Sequence, residues 1–362
     1  MKGLFLLCLY LLVSGVSCHG QALGPLTGHW QQISKLDGPF LHCGQVIPPG
    51  AHLPSDLAIN RVFQFKDKLY LDSVNTACSQ ERFLEVSSDN GATWLPLSAP
   101  SDIGKPLHLG VADGALYVFG DKGFSISKDA NNWGSTIARV GCDGPFELET
   151  KGIMVLCGSS FWHSVDHGAT WSQLPLTMPV AGARIIEIIV TGDVLFRAFT
   201  TNVNGKSVPS FFRSTDLGAR WVEVGPPYGS AITGGSVPIA MGRRNLYIQM
   251  SDNGQNLFGV STDHGASWTL RPVIEGVWVT PGSFVELPDS RICSSGFSGF
   301  RGGVYCSSDA GATWQWLTNG FPTSGNQYPW GTLVQSNAIF MLSSPPGSFP
   351  VAPSTLFEFV SE

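Results

Sequence analysis

An all-β fold assembled from one repeated unit is what the sequence predicts, and three observations predict it. The octapeptide SSDNGATW at residues 87–94 returns as SKDANNW (127–133), SVDHGATW (164–171), STDLGARW (214–221), STDHGASW (261–268) and SSDAGATW (307–314). Its acidic residues, Asp89, Asp129, Asp166, Asp216, Asp263 and Asp309, are spaced by 40, 37, 50, 47 and 46 positions, a period that belongs to a repeat architecture. Composition agrees: of 362 residues, 43 are Gly and 24 are Pro, while only 13% are charged and 43% are hydrophobic. That is a turn-rich chain with a large core and few long helices.

Each copy of the octapeptide follows a short strand-like run: RFLEV, GFSI, SFW, SFFR, NLFGV and GGVYC in chain order. In five copies the Trp opens another run, as in WLPL, WSQLPL, WVEV, WTL and WQWL, so the motif is placed on a hairpin loop. Asp accepts hydrogen bonds from backbone N–H groups further along the turn, Gly supplies a positive φ, Ser or Thr ties the other side, and Trp anchors the departing strand. Ahead of each copy lies an earlier hairpin. Its second strands align as KLYLDS (68–73), ALYVFG (115–120), IMVLCG (153–158), VLFRAF (194–199), NLYIQM (245–250) and RICSSG (291–296), each preceded by a turn signal. The repeated unit is therefore a meander of four short strands, A to D.

The octapeptide resembles the Asp box, S-x-D-x-G-x-[TS]-W, of sialidase-like β-propellers. Four copies match it fully; Arg220 replaces Thr in the fourth, and the second is one residue short, with Asn131 in the Gly place. The resemblance implies a propeller with the box at its periphery, away from any active centre. After the last box the pattern restarts with YPWGTLVQS, AIFMLSS (338–344) and TLFEFVSE (355–362), three strands with no Trp strand after them. GHWQQIS (28–34) resembles the segments that follow the boxes, with Trp30 in the place of Trp94, and has no strands A to C ahead of it. The expected fold is a seven-bladed β-propeller of four-stranded antiparallel blades, closed by N-terminal strand D pairing with C-terminal strands A–C, which leaves no open edge in the ring. Six blades with unpaired tails is the alternative.

Residues 1–20 carry one Lys, an apolar run and small residues before Gln21, the pattern of a secretory signal, so residues 21–362 are expected to form a single secreted domain. No later stretch is apolar enough to predict a membrane span. With Lys2 removed, 20 Lys and Arg face 27 Asp and Glu, a net charge of −7. This argues against nucleic acid as the partner. Six cysteines remain, and sequence proximity favours disulfides 43–78, 142–157 and 293–306 among the fifteen connectivities. No close Cys or His pairs suggest a metal, and no phosphate loop, dinucleotide fingerprint or calcium loop suggests a cofactor.

In a propeller the A strands line the central channel, and the D–A and B–C loops form one rim. Ligand-binding candidates in or beside those segments are Arg61, His108, Arg184, Trp278, Tyr328 and Trp330; catalytic candidates are Glu147, Glu149 and Glu187. Glu147 and Glu149 are two apart and are expected to share a strand face. Arg184 and Glu187 are three apart and fall on opposite faces unless the strand is bulged. Seven Trp fill the repeated slot, which leaves Trp162, Trp278, Trp316 and Trp330 off-pattern. The expected function is binding of an extracellular glycan or protein at the channel rim. The resemblance also implies an alternative, a sialidase-like exo-acting glycoside hydrolase. Such enzymes use an arginine triad, a Tyr–Glu nucleophile and an R-I-P stretch; here the nearest counterparts are Arg61 in NRVFQF, which lacks the Pro, and Tyr328 with Glu187. A third expectation is a protein-binding assembly scaffold.

Overall fold

A computed structural model describes residues 28–32, 40–42, 45–47, 57–75, 82–89, 91, 93–158, 160–174, 184–192, 194–203, 206–224, 239–241, 245–252, 255–272, 278–279, 285–287, 289–298, 301–317, 329–335, 338–343 and 355–361. The leader at 1–20 and the Cys43–Cys78 pair lie outside the described residues, as does Tyr328. Among the described residues there is no α-helix, and every strand pairing is antiparallel.

The first sheet runs Leu57–Phe65, Lys68–Asn75, Arg82–Ser87 and Leu95–Pro96. The second has Pro106–Ala112, Ala115–Gly120 and Phe124–Ser127, with a single bridge from Phe124 to Ile137 where a fourth strand was expected. The third comprises Cys142–Leu148, Gly152–Cys157, Ser160–Ser164 and Ser172–Gln173. Arg184–Thr191, Val194–Val203, Lys206–Ser214 and Val222–Glu223 make the fourth, and Ile239–Met241, Leu246–Asp252, Gln255–Ser261 and Thr269–Pro272 the fifth. In the sixth the opening strand is split: Trp278–Val279 and Val285–Glu286 both pair with Ile292–Ser298, followed by Arg301–Ser307 and Gln315–Leu317. The seventh joins the chain ends. Gly28–Gln32 pairs with Thr355–Ser361, Trp30 opposite Phe359, and Ala338–Ser343 and Pro329–Gln335 follow in order. A small ribbon, Phe40–His42 with Gln45–Ile47, was not anticipated by the sequence reading.

From the second sheet through the seventh, and on to the first, the opening strands meet one another in sequence. Pro106–Ala112 touches the first sheet and Cys142–Leu148; the contacts then run through Arg184–Thr191, Ile239–Met241, Val285–Glu286 and Pro329–Gln335, and from there back to Leu57–Phe65. The apolar cores lie in the seams between neighbouring sheets. Tyr70, Leu84, Leu109 and Val118 join the first and second, and Tyr117, Phe119, Phe124, Ile153 and Val155 the second and third. Of the three expected disulfides, Cys142–Cys157 and Cys293–Cys306 are formed, each between facing positions of adjacent strands.

The repeated turn is held by its own side chains. In the third copy Ser164 Oγ donates to Asp166 Oδ1 at 2.8 Å and accepts from Gly168 N–H at 2.8 Å. Thr170 N–H and its hydroxyl donate to the two oxygens of Asp166 at 2.8 and 2.5 Å, and Trp171 Nε1–H donates to Gly168 O at 3.0 Å. Where the sequence departs, another donor takes the hydroxyl's place: Arg220 Nε at 2.9 Å from Asp216 Oδ2, and Asn132 Nδ2 at 2.7 Å from Asp129 Oδ2. The turn also grips the neighbouring sheet. A Cβ on Gly168 would come within 2.5 Å of Ile126 Cδ1, and Trp171 meets Phe124 edge-on at 5.4 Å, so both side chain and glycine serve the seam. Trp94 is buried as a core anchor, whereas Trp171, Trp221 and Trp314 are half-buried against the adjacent sheet.

Candidate functional site

The seam between the second and third sheets is described over residues 106–158 and 160–174, and its two ends differ in chemistry. An opening strand starts at the D–A loop and finishes at its hairpin. Ala112, opposite Ala115, therefore marks the hairpin end, and His108, opposite Phe119, marks the rim end roughly four residues, or about 13 Å, away.

At the hairpin end Asp113 contacts His167 of the third repeated turn, and Asp113 N–H donates to Glu147 Oε2 at 3.0 Å. Lys151 Nζ reaches Thr215 O at 2.9 Å, linking the next seam in the same way. The fifth and sixth sheets show a related contact: Tyr247 Oη donates to Glu286 Oε2 at 3.1 Å, and Asn245 Nδ2 donates to that hydroxyl. Glu147 and Glu286 stand in the same local sequence, FEL and VEL. Burial of Tyr247 and Tyr117 raises both phenol pKa values, with nearby carboxylates pushing the same way. Glu147 and Glu149 differ in backbone setting. The strand ends at Leu148, Glu149 lies in the turn with its N–H donating to Gly192 O at 3.2 Å, and Glu147 is engaged across the seam.

At the rim end the His108 ring stacks on Phe119 at 4.5 Å and 12°, with Nε2 3.6 Å from Asp143 Oδ1. The His108 side chain is 13% exposed and that of Asp143 55%. Both positions follow from β-bulges: the register slips between Pro106 and His108, and between Asp143 and Phe146. Bulges re-aim side chains at such places. Gly110 lets the two strands approach, because a Cβ there would meet Pro145 Cδ at 2.3 Å. In the loop that leads into Asp143 the Arg139 guanidinium lies over the Trp162 ring, Cζ 3.1 Å from the centroid, and the Cys142–Cys157 disulfide ties the loop to the strand beneath. Burial lowers the pKa of Arg139.

The sequence reading singled out His108 and the off-pattern Trp162 but missed Asp143 and Arg139, the residues they meet. The readable signal was weak: a charged residue on either side of Cys142, just where an opening strand begins. Arg61, Arg184, Glu187, Trp278 and Trp330 are placed as strand positions. A bulge between Ile185 and Glu187 sets positions 184 and 187 opposite Thr200 and Ala198, two apart on the partner strand, so the two positions share a face. Off-pattern Trp316 lies flat on Tyr305 at 5.4 Å. Among the described residues no group of three or more His, Cys, Asp or Glu is gathered as a metal site, and no helix is long and apolar enough to cross a membrane.

A buried acidic residue lies in the first sheet. Glu85 is 1% exposed; one oxygen is 3.5 Å from the Ser73 hydroxyl, and Oε1 is enclosed without a hydrogen-bond partner. Burial first, then the charge of Asp72, raises its pKa to about 8.

No family model matches the sequence, and no curated protein matches it. Among solved structures the chain is similar to YCF48 from Cyanidioschyzon merolae, with 13% identity and a TM-score of 0.57, covering 91% of this chain and 98% of that one. It is similar to the β-propeller domain of the Trilobed protease from Pyrococcus furiosus, with 8% identity, a TM-score of 0.51, and 84% and 94% covered. It is also similar to a puromycin-hydrolyzing peptidase from Mycobacterium tuberculosis, with 12% identity and a TM-score of 0.53; 93% of this chain is covered but only 55% of that one. With the sheet order above, these likenesses define the class of the fold: the chain is an all-β protein of the β-propeller type. Likeness at such identities concerns the fold alone.

Proposed function

We propose that the chain is a secreted Asp-box propeller of seven blades, closed between its ends, whose D–A and B–C rim binds an extracellular glycan or protein. Seven sheets of three or more strands, opening strands that touch in order and return to the first, and the pairing of Gly28–Gln32 with Thr355–Ser361 support the ring. Two formed disulfides suit secretion.

One observation carries the binding reading: the two ends of the second–third seam differ. At the hairpin end all three polar side chains are engaged in a structural latch: the Asp113 carboxylate contacts His167, and Glu147 accepts the Asp113 backbone N–H. At the rim end Arg139, in the loop that leads into Asp143, is held on an aromatic face with no carboxylate of the described residues against it. The glycosidase reading has less support. Tyr247 and Glu286 do meet, but as a contact between sheets with the tyrosine fully buried, which suits no nucleophile.

A glycan array and a panel of fluorogenic glycosides, both run on the secreted protein, test this. Binding without turnover is expected. Hydrolysis by the wild type that disappears in Arg61→Ala would establish the glycosidase instead.

A further inference from the structure

We propose that the rim of the second–third seam docks an acidic segment of a protein partner, with Arg139 gripping the partner's carboxylate and Val140 meeting an apolar neighbour. This rests on the binding reading above and narrows it to one class of partner.

The geometry of Arg139 is the starting point. A guanidinium stacked on an indole is fixed in orientation, and its planar fork fits a carboxylate with two parallel hydrogen bonds. Here the stack is tight and Nε is enclosed without a hydrogen-bond partner, while none of the carboxylates among the described residues pairs with this arginine. A cation placed in that way has already lost part of its hydration and gains by meeting an anion. The backbone is held too: Arg139 N–H donates to Ile137 O at 2.8 Å, and the disulfide begins three residues on. The site is therefore preorganised, which lowers the ordering cost of binding.

Two features favour a protein over a glycan. Val140, next in the chain, is 65% exposed, one of few large apolar side chains so placed among the described residues. A cation beside an exposed aliphatic group matches a peptide carrying an acidic and an apolar side chain in succession. Sugars prefer a bare aromatic face, and of the off-pattern tryptophans the two whose side chains are described are already in contact: Trp162 carries Arg139 on a face, and Trp316 is stacked on Tyr305. Since the chain as a whole is acidic, its net charge would repel such a segment, and the local arginine must supply the recognition.

A display library of random linear peptides, selected on the full secreted chain, tests the proposal. Enrichment of Asp or Glu next to an apolar residue is expected. For the best synthetic peptide, Glu→Gln or Asp→Asn should weaken binding at least tenfold. Arg139→Gln should do the same, and Arg139→Lys, which keeps the charge but loses the fork, should fall between. Circular dichroism and thermal unfolding of each variant confirm that the fold is intact. Neutral or basic selected peptides, or binding indifferent to Arg139→Gln, would overturn the proposal while leaving the binding reading in place. An oligosaccharide bearing uronic acids that binds through Arg139 when no peptide is selected would overturn the protein partner. If neither peptides nor the glycan array yields a ligand, the binding reading fails along with it.

Discussion

The hairpin end and the rim end of the second–third seam are built from the same kinds of residue, and they use them in opposite ways. Each carries a histidine near an aspartate: His167 with Asp113 at one end, His108 with Asp143 at the other. At the hairpin end the pair belongs to a lattice of contacts that includes Glu147 and the Asp166 turn, and related contacts recur between other sheets. At the rim end the pair rests on bulges, which the opening strands of the first, fourth and seventh sheets carry as well, and the loop leading into Asp143 holds an arginine on a ring. The difference teaches that a polar group which recurs with the repeat belongs to the architecture. One that departs from the repeat is where a ligand is better sought.

The comparison can be broken most forcefully by removing a peg. Trp94→Ala in the first turn should lower stability by about 3–5 kcal/mol in denaturant unfolding, the range for deleting a buried aromatic. Rim substitutions such as Arg139→Gln should cost at most about 2 kcal/mol, the range of a desolvated cation–π contact. A peg substitution without effect on unfolding would erase the distinction.

Next in size is the buried Glu85, which belongs to neither end. Its folded pKa of about 8 stands above the ordinary 4.5, so it favours folding fully below 4.5, and that contribution is lost as pH rises through 8. Stability should therefore fall across this window by up to about 1.4 kcal/mol per pH unit. Glu85→Gln should flatten the slope, as read from unfolding midpoints at several pH values.

Tyr247→Phe tests whether the seam contacts at the hairpin end are structural. Loss of the hydroxyl bonded to Glu286 should cost about 1 kcal/mol and leave ligand binding unchanged.

The smallest effect concerns the turns themselves. The Thr170 hydroxyl, followed by its N–H and the Ser164 hydroxyl, holds Asp166 at about 2, below the ordinary 3.8. Its contribution is present above 3.8 and is lost as pH falls through 2. Thr170→Ala should move the Asp166 titration upward in a carboxyl NMR experiment; an unmoved titration would mean that the hydroxyl does not set it.

Strand positions were legible because their signal is local. ALYVFG was read at 115–120 and is the strand Ala115–Gly120; RFLEV, read after the first hairpin, lies within Arg82–Ser87. The turns were legible for the same reason, since Ser, Asp, Gly, Thr and Trp satisfy one another within eight residues. The candidate site was mostly illegible. Glu147 was read by alternation along a strand, but its partner, Asp113, is 34 positions away in another sheet. Arg139 and Trp162 are 23 apart and meet only when a loop folds over a neighbouring strand. Arg184 and Glu187 come to one face through a bulge, which inserts a residue that spacing in the sequence does not reveal.

By itself, then, the sequence determined the repeated unit, its turn chemistry, the Cys142–Cys157 and Cys293–Cys306 bridges, and the meeting of the Trp30 strand with the last strand of the chain. Alternation, turn residues and proximity are short-range constraints that a linear pattern preserves. Tertiary structure alone decided which charges oppose which across a seam, where the strands bulge, and which arginine is left on an indole without a counter-charge. Those outcomes depend on how neighbouring sheets fit together, and packing couples residues that the chain keeps far apart.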